Sequence, residues 1–275
     1  HIAPPYWYGL GGELSPEEFG LKSARLLEEK ILELGPETVT AFIGEPIQGA
    51  GGVIIPPSTY WPEIERICRK YGVLIVADEV ICGFGRTGNW FGCETFGFKP
   101  DLMAMAKGMS SGYLPIGGVM VADHVANTLI EDGGEFFHGY TYSGHPTCCA
   151  VAERNIRIIR DEGLVERVRT DTGPYLQARW RELDEHSLVG EARGVGFIGA
   201  LELVKDKATR QRFDPLGEVG TLCRDFCFQN GLVMRAVWDT MIMSPPLVMS
   251  RSEIDRFIEL ARRCLDLTAD ALARR

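Results

Sequence analysis

The sequence lacks several things that would settle its class at once. No apolar run reaches the length of a membrane span, so a transmembrane role is excluded at this level. No C-x-x-C pair occurs among the eight cysteines, and their spacing forms neither a disulfide framework nor a metal site. Small buried thiols in a reducing, cytoplasmic setting are the expectation, with no metal. Basic residues are in deficit, 29 against 38 acidic ones, for a net charge of −9, which argues against a nucleic-acid partner and fits small-molecule chemistry. The G-x-x-x-x-G-K-[ST] phosphate loop is missing too. There is no low-complexity segment, no internal repeat and no signal-peptide pattern. The chain opens on His1 and the loop-like HIAPPYWYG, so an N-terminal part is expected to be missing.

What is present reads as ordinary globular sequence: 275 residues, 45% hydrophobic and 24% charged, enough for one or two domains. Ser15-Pro16-Glu17-Glu18 is a capping box with proline at the first helical position. The helix it opens runs through Leu21, Leu26, Leu27, Ile31 and Leu34 to Gly35-Pro36. Residues 38–44 read as a buried strand. A second helix opens at Ser58/Thr59, closes at Gly72 and leads into a strand at 73–76. Two more short strands follow at 102–106 and 118–121. This alternation predicts an α/β unit with a mostly parallel sheet over residues 1–145. Residues 146–275 read as a smaller α+β domain. Its helices are expected at 150–160, 164–183, 218–230 and 251–273. Antiparallel strands are expected within 189–204 and near 233–235 and 241–243.

One stretch poses the functional question. VLIVADEVICGFGRTG, from Val73, ends in the spacing G-x-G-x-x-G. A dinucleotide fingerprint needs its glycines directly after a strand and at the start of a helix, with an acid about 20 residues on. Here Ala77-Asp78-Glu79-Val80-Ile81 intervenes, Asn89-Trp90-Phe91-Gly92 does not read as a helix start, and Asp101 comes early. The glycines are better read as shaping a loop. Two strand ends stand out instead, because ligands of open α/β sheets sit at the carboxyl ends of strands. One carries Asp78-Glu79. The other, LMAMAKG from Leu102, ends in Lys107. A surface lysine is one reading; a desolvated, covalently acting lysine facing a carboxylate is the other.

Five motifs tip that balance: EPIQGAGG from Glu45, ADEVICGFGRTG from Ala77, PDLMAMAKGMSSGYLPIGG from Pro100, HGYTYSGHP from His138 and RGVGFIGALEL from Arg193. In order and spacing the chain resembles the class III, pyridoxal-phosphate-dependent aminotransferases, of the amine:pyruvate (omega) branch. The resemblance implies fold type I, with residues 1–145 as the remaining part of the cofactor-binding large domain and 146–275 as the small domain. It implies a Schiff base between Lys107 and pyridoxal 5'-phosphate, Asp78 paired with the pyridine nitrogen, and Val80 against the ring face. Thr141 would bind the cofactor phosphate of a neighbouring subunit, which implies a homodimer with shared sites, possibly a tetramer. Arg235 would clamp substrate carboxylates. Trp238 stands where relatives carry a small residue and would narrow that movement. Glu45 is either part of the substrate-side network or a strand-end structural acid. Ala50 and Ile81 replace a Glu and a Gln of glutamate-type relatives, which favours pyruvate as acceptor. The family's phosphate cup and ring-stacking aromatic have no counterpart from His1 onward. The donor is expected to be putrescine-like, β-alanine-like or an aryl-alkyl amine. Alternatives are another reaction of the same cofactor (aminomutase, racemase or decarboxylase) or a non-catalytic, truncated remnant that only dimerises.

Overall fold

In the computed structural model, which describes residues 1–274, the chain gathers into two units. The first holds residues 1–47, 56–85 and 89–163; the second holds 48–55, 86–88 and the chain from Leu164 on.

In the first unit a single helical turn, α1 (Trp7–Leu10), lies inside the stretch expected to be loop. Helix α2 (Pro16–Leu34) starts as its capping box requires: Ser15 Oγ accepts the Glu18 N–H at 3.2 Å, and Glu18 Oε2 accepts the Ser15 N–H at 3.0 Å. Proline at its first position sacrifices no hydrogen bond, since that N–H has no partner within the helix. Strand β1 (Ala41–Gly44) is followed by α3 (Tyr60–Tyr71) and β2 (Leu74–Asp78). Then come α4 (Gly92–Phe96), β3 (Leu102–Met105), β4 (Gly118–Val121), α5 (Asp123–Glu131) and α6 (Pro146–Asp161). The sheet order is β1-β2-β3-β4, parallel except for the antiparallel β3–β4 pair.

Helices α2 and α3 pack on one face of this sheet. Ala24, Leu27 and Ile31 recur at helical spacing and meet Ile64, Ile67, Cys68, Ile75 and Ala77 in one buried cluster. Each such large aliphatic side chain contributes roughly 1.5–3 kcal/mol on burial. Trp61 stacks on Phe98 with centroids 4.0 Å apart and donates its indole N–H to Pro46 O at 3.2 Å. The strand expected to be buried over 38–44 is shorter and half-exposed. It is the sheet's edge, and Ile43, on the face away from the helices, is 63% exposed.

The second unit begins where a long helix was expected over 164–183. The structure breaks it into α7 (Leu164–Arg167), a wider π-turn (Val168–Thr172) and α8 (Gly173–Arg181). Pro174 has no N–H for the ladder, and its ring would crowd the carbonyl one turn back. Only glycine fits before it, because a Cβ on Gly173 would collide with Val168 O. Strands β5 (Val189–Val195) and β6 (Ile198–Leu203) form a hairpin. They are followed by α9 (Glu218–Gln229), β7 (Arg235–Val237), β8 (Thr240–Met243) and α10 (Arg251–Ala273). The antiparallel sheet has the order β5-β6-β8-β7. Strand β7 starts two residues later than expected, because Leu232 and Met234 turn into the core before pairing begins. That core joins Leu176, Trp180, Leu201, Met241, Ile254, Ile258 and Leu265. The eight cysteines are free thiols; six are buried, Cys148 is half-buried and Cys149 is exposed. Among the described residues, no helix is long and apolar enough to cross a membrane.

Candidate active site

The carboxyl ends of β1, β2 and β3 lie in sequence across the sheet of the first unit, and they carry Glu45, Asp78-Glu79 and Lys107. The ends of β2 and β3 are tied together. Asp78 is in register with Ala104, and the Glu79 N–H donates to Ala104 O at 2.9 Å. At the start of β3, buried Asp101 accepts Arg69 Nη1 on both oxygens at 2.8 Å and the Ile75 N–H at 2.7 Å. Asp101 therefore pins β3 to β2 and is not a ribose acid.

Alternation along β2 puts Ile75 and Ala77 under the helices and Asp78 on the opposite face. Asp78 is half-buried. Its Oδ1 accepts the Val80 N–H at 3.1 Å, which fixes the carboxylate, and its Oδ2 has no partner among the described residues. Val80 itself is half-buried. Lys107 opens a 3₁₀ turn, Lys107–Met109, with φ at +38°. That left-handed backbone costs on the order of 1–3 kcal/mol for a residue with a side chain and persists only where the surroundings impose it. The lysine side chain is exposed, and its ammonium makes no hydrogen bond or ion pair among the described residues. Next to it, a Cβ on Gly108 would stand 3.2 Å from Phe84 Cβ, a tight approach between the turn and the loop after β2.

Glu79 has the opposite surroundings from its neighbour. It is fully buried and accepts the N–H groups of Gly92 and Cys93, each at 2.7 Å, closing the start of α4. Burial pushes its carboxyl above the usual range, while the two amides pull the other way. Burial and Glu79 together raise the Cys93 thiol to about 12. The stretch 89–92, expected not to start a helix, does start one: the distant Glu79 takes two of its N–H groups, and Glu94 accepts the Phe91 N–H at 2.9 Å. The GFGRTG glycines shape a loop: Gly83 donates to Glu79 O at 2.8 Å, and Phe84, with φ at +60°, donates to Trp90 O at 2.6 Å.

In the second unit, Arg86 of that motif donates to the carbonyls of Phe197 (2.9 Å) and Pro245, and its own carbonyl accepts the Phe197 N–H at 2.8 Å. The loop thus binds protein backbone where a dinucleotide turn would bind phosphate. Arg193 is almost fully buried. Its fork grips Gly52 O at 2.7 Å and Val53 O at 2.9 Å, and its charge is balanced by Glu202 at 3.0 Å and Glu191 at 2.8 Å. Val53 is held at φ +51° by that grip. Burial raises the Glu191 carboxyl, with Arg193 pulling against it.

The other expected residues are spread more widely. Arg235 is exposed on β7 and makes no ion pair among the described residues. Asp239, four residues on, is buried and accepts the N–H groups of Gly217 (2.8 Å) and Gly220 (2.7 Å) at the start of α9. Trp238 is 67% exposed with φ at +52°. Thr141 lies on an exposed turn of the first unit. Glu45 is half-buried directly after β1. Asn155 of α6, which no local pattern marks, holds the turn after Lys107.

An amine and an oriented carboxylate on adjoining strand ends form a donor set suited to an enzyme that works through an aldehyde cofactor. The comparisons with known proteins agree. Residues 15–265 match the family model for class-III aminotransferases, and the chain belongs to that family. It is 63% identical over 272 residues to a putrescine–pyruvate aminotransferase of Pseudomonas aeruginosa, covering 99% of this chain and 59% of that one. It is 43% identical over 283 residues to a diaminobutyrate–2-oxoglutarate transaminase of Halomonas elongata, covering all of this chain and 60% of the relative. A thermostable (S)-enantioselective omega-transaminase of known structure from Thermomicrobium roseum superposes with a TM-score of 0.92 at 45% identity, over 98% of this chain and 60% of that one. The chain therefore spans about 60% of the length of these relatives.

Proposed function

We propose that the protein is an aminotransferase that moves an amino group from an amine or omega-amino acid to pyruvate, with pyridoxal 5'-phosphate as its cofactor. The observation that carries this reading is the strained Lys107 at the end of β3, adjoining a β2 end whose Asp78 keeps one carboxylate oxygen open. The identity to a putrescine–pyruvate aminotransferase supports the donor class and the acceptor. Ala50 and Ile81, in place of the Glu and Gln of glutamate-type relatives, point the same way.

The donor set fits the cofactor. Lys107 Nζ is an exposed primary amine that can condense with an aldehyde, and Asp78 Oδ2 can hold a proton on a ring nitrogen. When bound, the cofactor supplies an electron-accepting ring, so that the carbon bearing the substrate amine can lose a proton. With the cofactor bound, Lys107 would hold it and its Nζ would be the group placed to move that proton. The Val80 N–H fixes one oxygen of Asp78, which would leave the other to hold a proton on the ring nitrogen. Val80 would supply an apolar contact for the cofactor. Thr141 offers a hydroxyl to the phosphate held in a second copy of the chain, which makes the working form a homodimer with shared sites. Arg235 carries a planar fork on a long stem, with no ion pair to break before it grips the carboxylate of pyruvate or β-alanine. Trp238 limits the space for that movement, and Glu45 serves the substrate's polar end.

The test is alanine formation by the full-length enzyme from putrescine and pyruvate, with 2-oxoglutarate as the competing acceptor. Alanine formation with a preference for pyruvate supports the reading. A visible cofactor band without any amino transfer would assign another reaction to the site.

A further inference from the structure

We propose that Asn155 is a positioning residue for Lys107, acting through the turn that follows β3. The inference rests on Lys107 being the cofactor lysine of the function proposed above. The carboxamide of Asn155 reaches the turn from α6. Its Nδ2 donates to Gly108 O at 2.9 Å and Met109 O at 3.0 Å, and its Oδ1 accepts the Ser111 hydroxyl at 2.7 Å. Those three bonds fix which way the amide faces, because only its nitrogen can donate to carbonyls.

The turn needs an external hold. Lys107 and Ser111 both carry left-handed φ, +38° and +49°, conformations that residues with a Cβ keep only when their surroundings impose them. Its own backbone bonds are few and lengthen along it: Met109 to Ala106 at 2.9 Å, Ser110 to Lys107 at 3.2 Å and Ser111 to Gly108 at 3.3 Å. The helix that supplies Asn155 is a firm platform. It is 16 residues long and is anchored by buried Ala152 and Ile159, three residues before and four after Asn155 on the same face. Gly108 also lies close to Phe84, with 3.2 Å between Phe84 Cβ and the place a Cβ on Gly108 would take. The Asn155 bonds thus hold the segment, and the freedom left to Lys107 is that of its own side chain. A lysine that must hold one atom and then hand a proton to another needs such a fixed root.

The test uses the full-length holoenzyme and its Asn155→Ala, Asn155→Asp and Ser111→Ala variants. Three readings are taken: amide exchange of the 107–112 segment, the pH titration of the visible cofactor band, and kcat against KM for the amine. Asn155→Ala is expected to speed exchange in 107–112 about tenfold, the scale of one or two lost hydrogen bonds. It should lower kcat by roughly 10- to 100-fold while KM for the amine stays within about threefold, and it should move the midpoint of the titration. Asn155→Asp should be worse than Ala, since it turns an oxygen toward two carbonyls. Ser111→Ala, which deletes one bond of the three, should fall between wild type and Asn155→Ala and serves if the Asn155 variants do not fold. A lower melting temperature with unchanged exchange, titration and kcat would make Asn155 merely structural and overturn the proposal. If the wild-type enzyme carries its borohydride-reducible cofactor on another lysine, the proposed function fails, while the exchange data still read the hold on the turn.

Discussion

Two adjacent acids, Asp78 and Glu79, should separate chemistry from stability. Glu79→Gln keeps the shape of a fully buried side chain but leaves one acceptor oxygen for two amide N–H groups, those of Gly92 and Cys93. The new NH₂ faces the second amide, so two buried donors lose their partners. At about 1–3 kcal/mol for each orphaned group, the loss should be roughly 2–6 kcal/mol. The shift per kcal/mol shrinks as chains lengthen, from about 2–4 °C at 150–250 residues, so the melting temperature of the full-length protein should fall by more than about 2 °C. Asp78→Asn is half-buried and can still accept the Val80 N–H, so its melting temperature should stay within about 2 °C of wild type. Its rate should drop by the order of 10²-fold or more, because no charge remains to hold a proton on the cofactor ring. The assay pairs thermal unfolding of the cofactor-free, full-length protein with stopped-flow amine half-reactions of the loaded enzyme. An Asp78→Asn enzyme with full turnover, or a Glu79→Gln protein that melts with wild type, would refute the division of labour.

Three further outcomes follow from the same geometry. Arg235→Ala should weaken transition-state binding of pyruvate and β-alanine by about 2–4 kcal/mol and leave the half-reaction of an amine without a carboxylate nearly unchanged; equal slowing of both in single-turnover kinetics would contradict the clamp. Arg193→Met should destabilise the protein by about 3–5 kcal/mol, because it leaves Glu202 buried and uncompensated and frees Gly52 and Val53; denaturant unfolding with an unshifted midpoint would contradict this. Gly196→Ala should lower the melting temperature, because its Cβ would stand 2.6 Å from Arg86 O at a φ of +54°; a melting curve that matches wild type would show that the β5–β6 turn yields without cost.

Local signals carried the elements that depend on local chemistry. Ser15-Pro16-x-Glu18 marks the start of α2 and Gly72 the end of α3, because a cap is made by residues within one turn of each other. The break at Gly173-Pro174 was also written in the sequence, but the apolar period of 164–183 outweighed it. Partnerships across long stretches of chain were not legible. Glu79 closing α4, Asp239 closing α9, Arg86 and Arg193 on distant carbonyls, and Asn155 on the turn after Lys107 all join a side chain to backbone far away in sequence. No periodicity records such pairs. Lys107 and Asp78 could be singled out because strand ends are where α/β sheets bind ligands, and the family resemblance supplied their chemistry. Spacing says nothing of the left-handed backbone at Lys107, which appears only in the fold.

The central claim is that Lys107 carries the cofactor. Borohydride reduction of the full-length enzyme loaded with pyridoxal phosphate, followed by peptide mass mapping, tests it directly. One pyridoxyl group on the peptide containing Lys107, lost with the visible band in Lys107→Ala together with all amino transfer, is the expected result. A pyridoxyl group on any other lysine, or full turnover in Lys107→Ala, would contradict it.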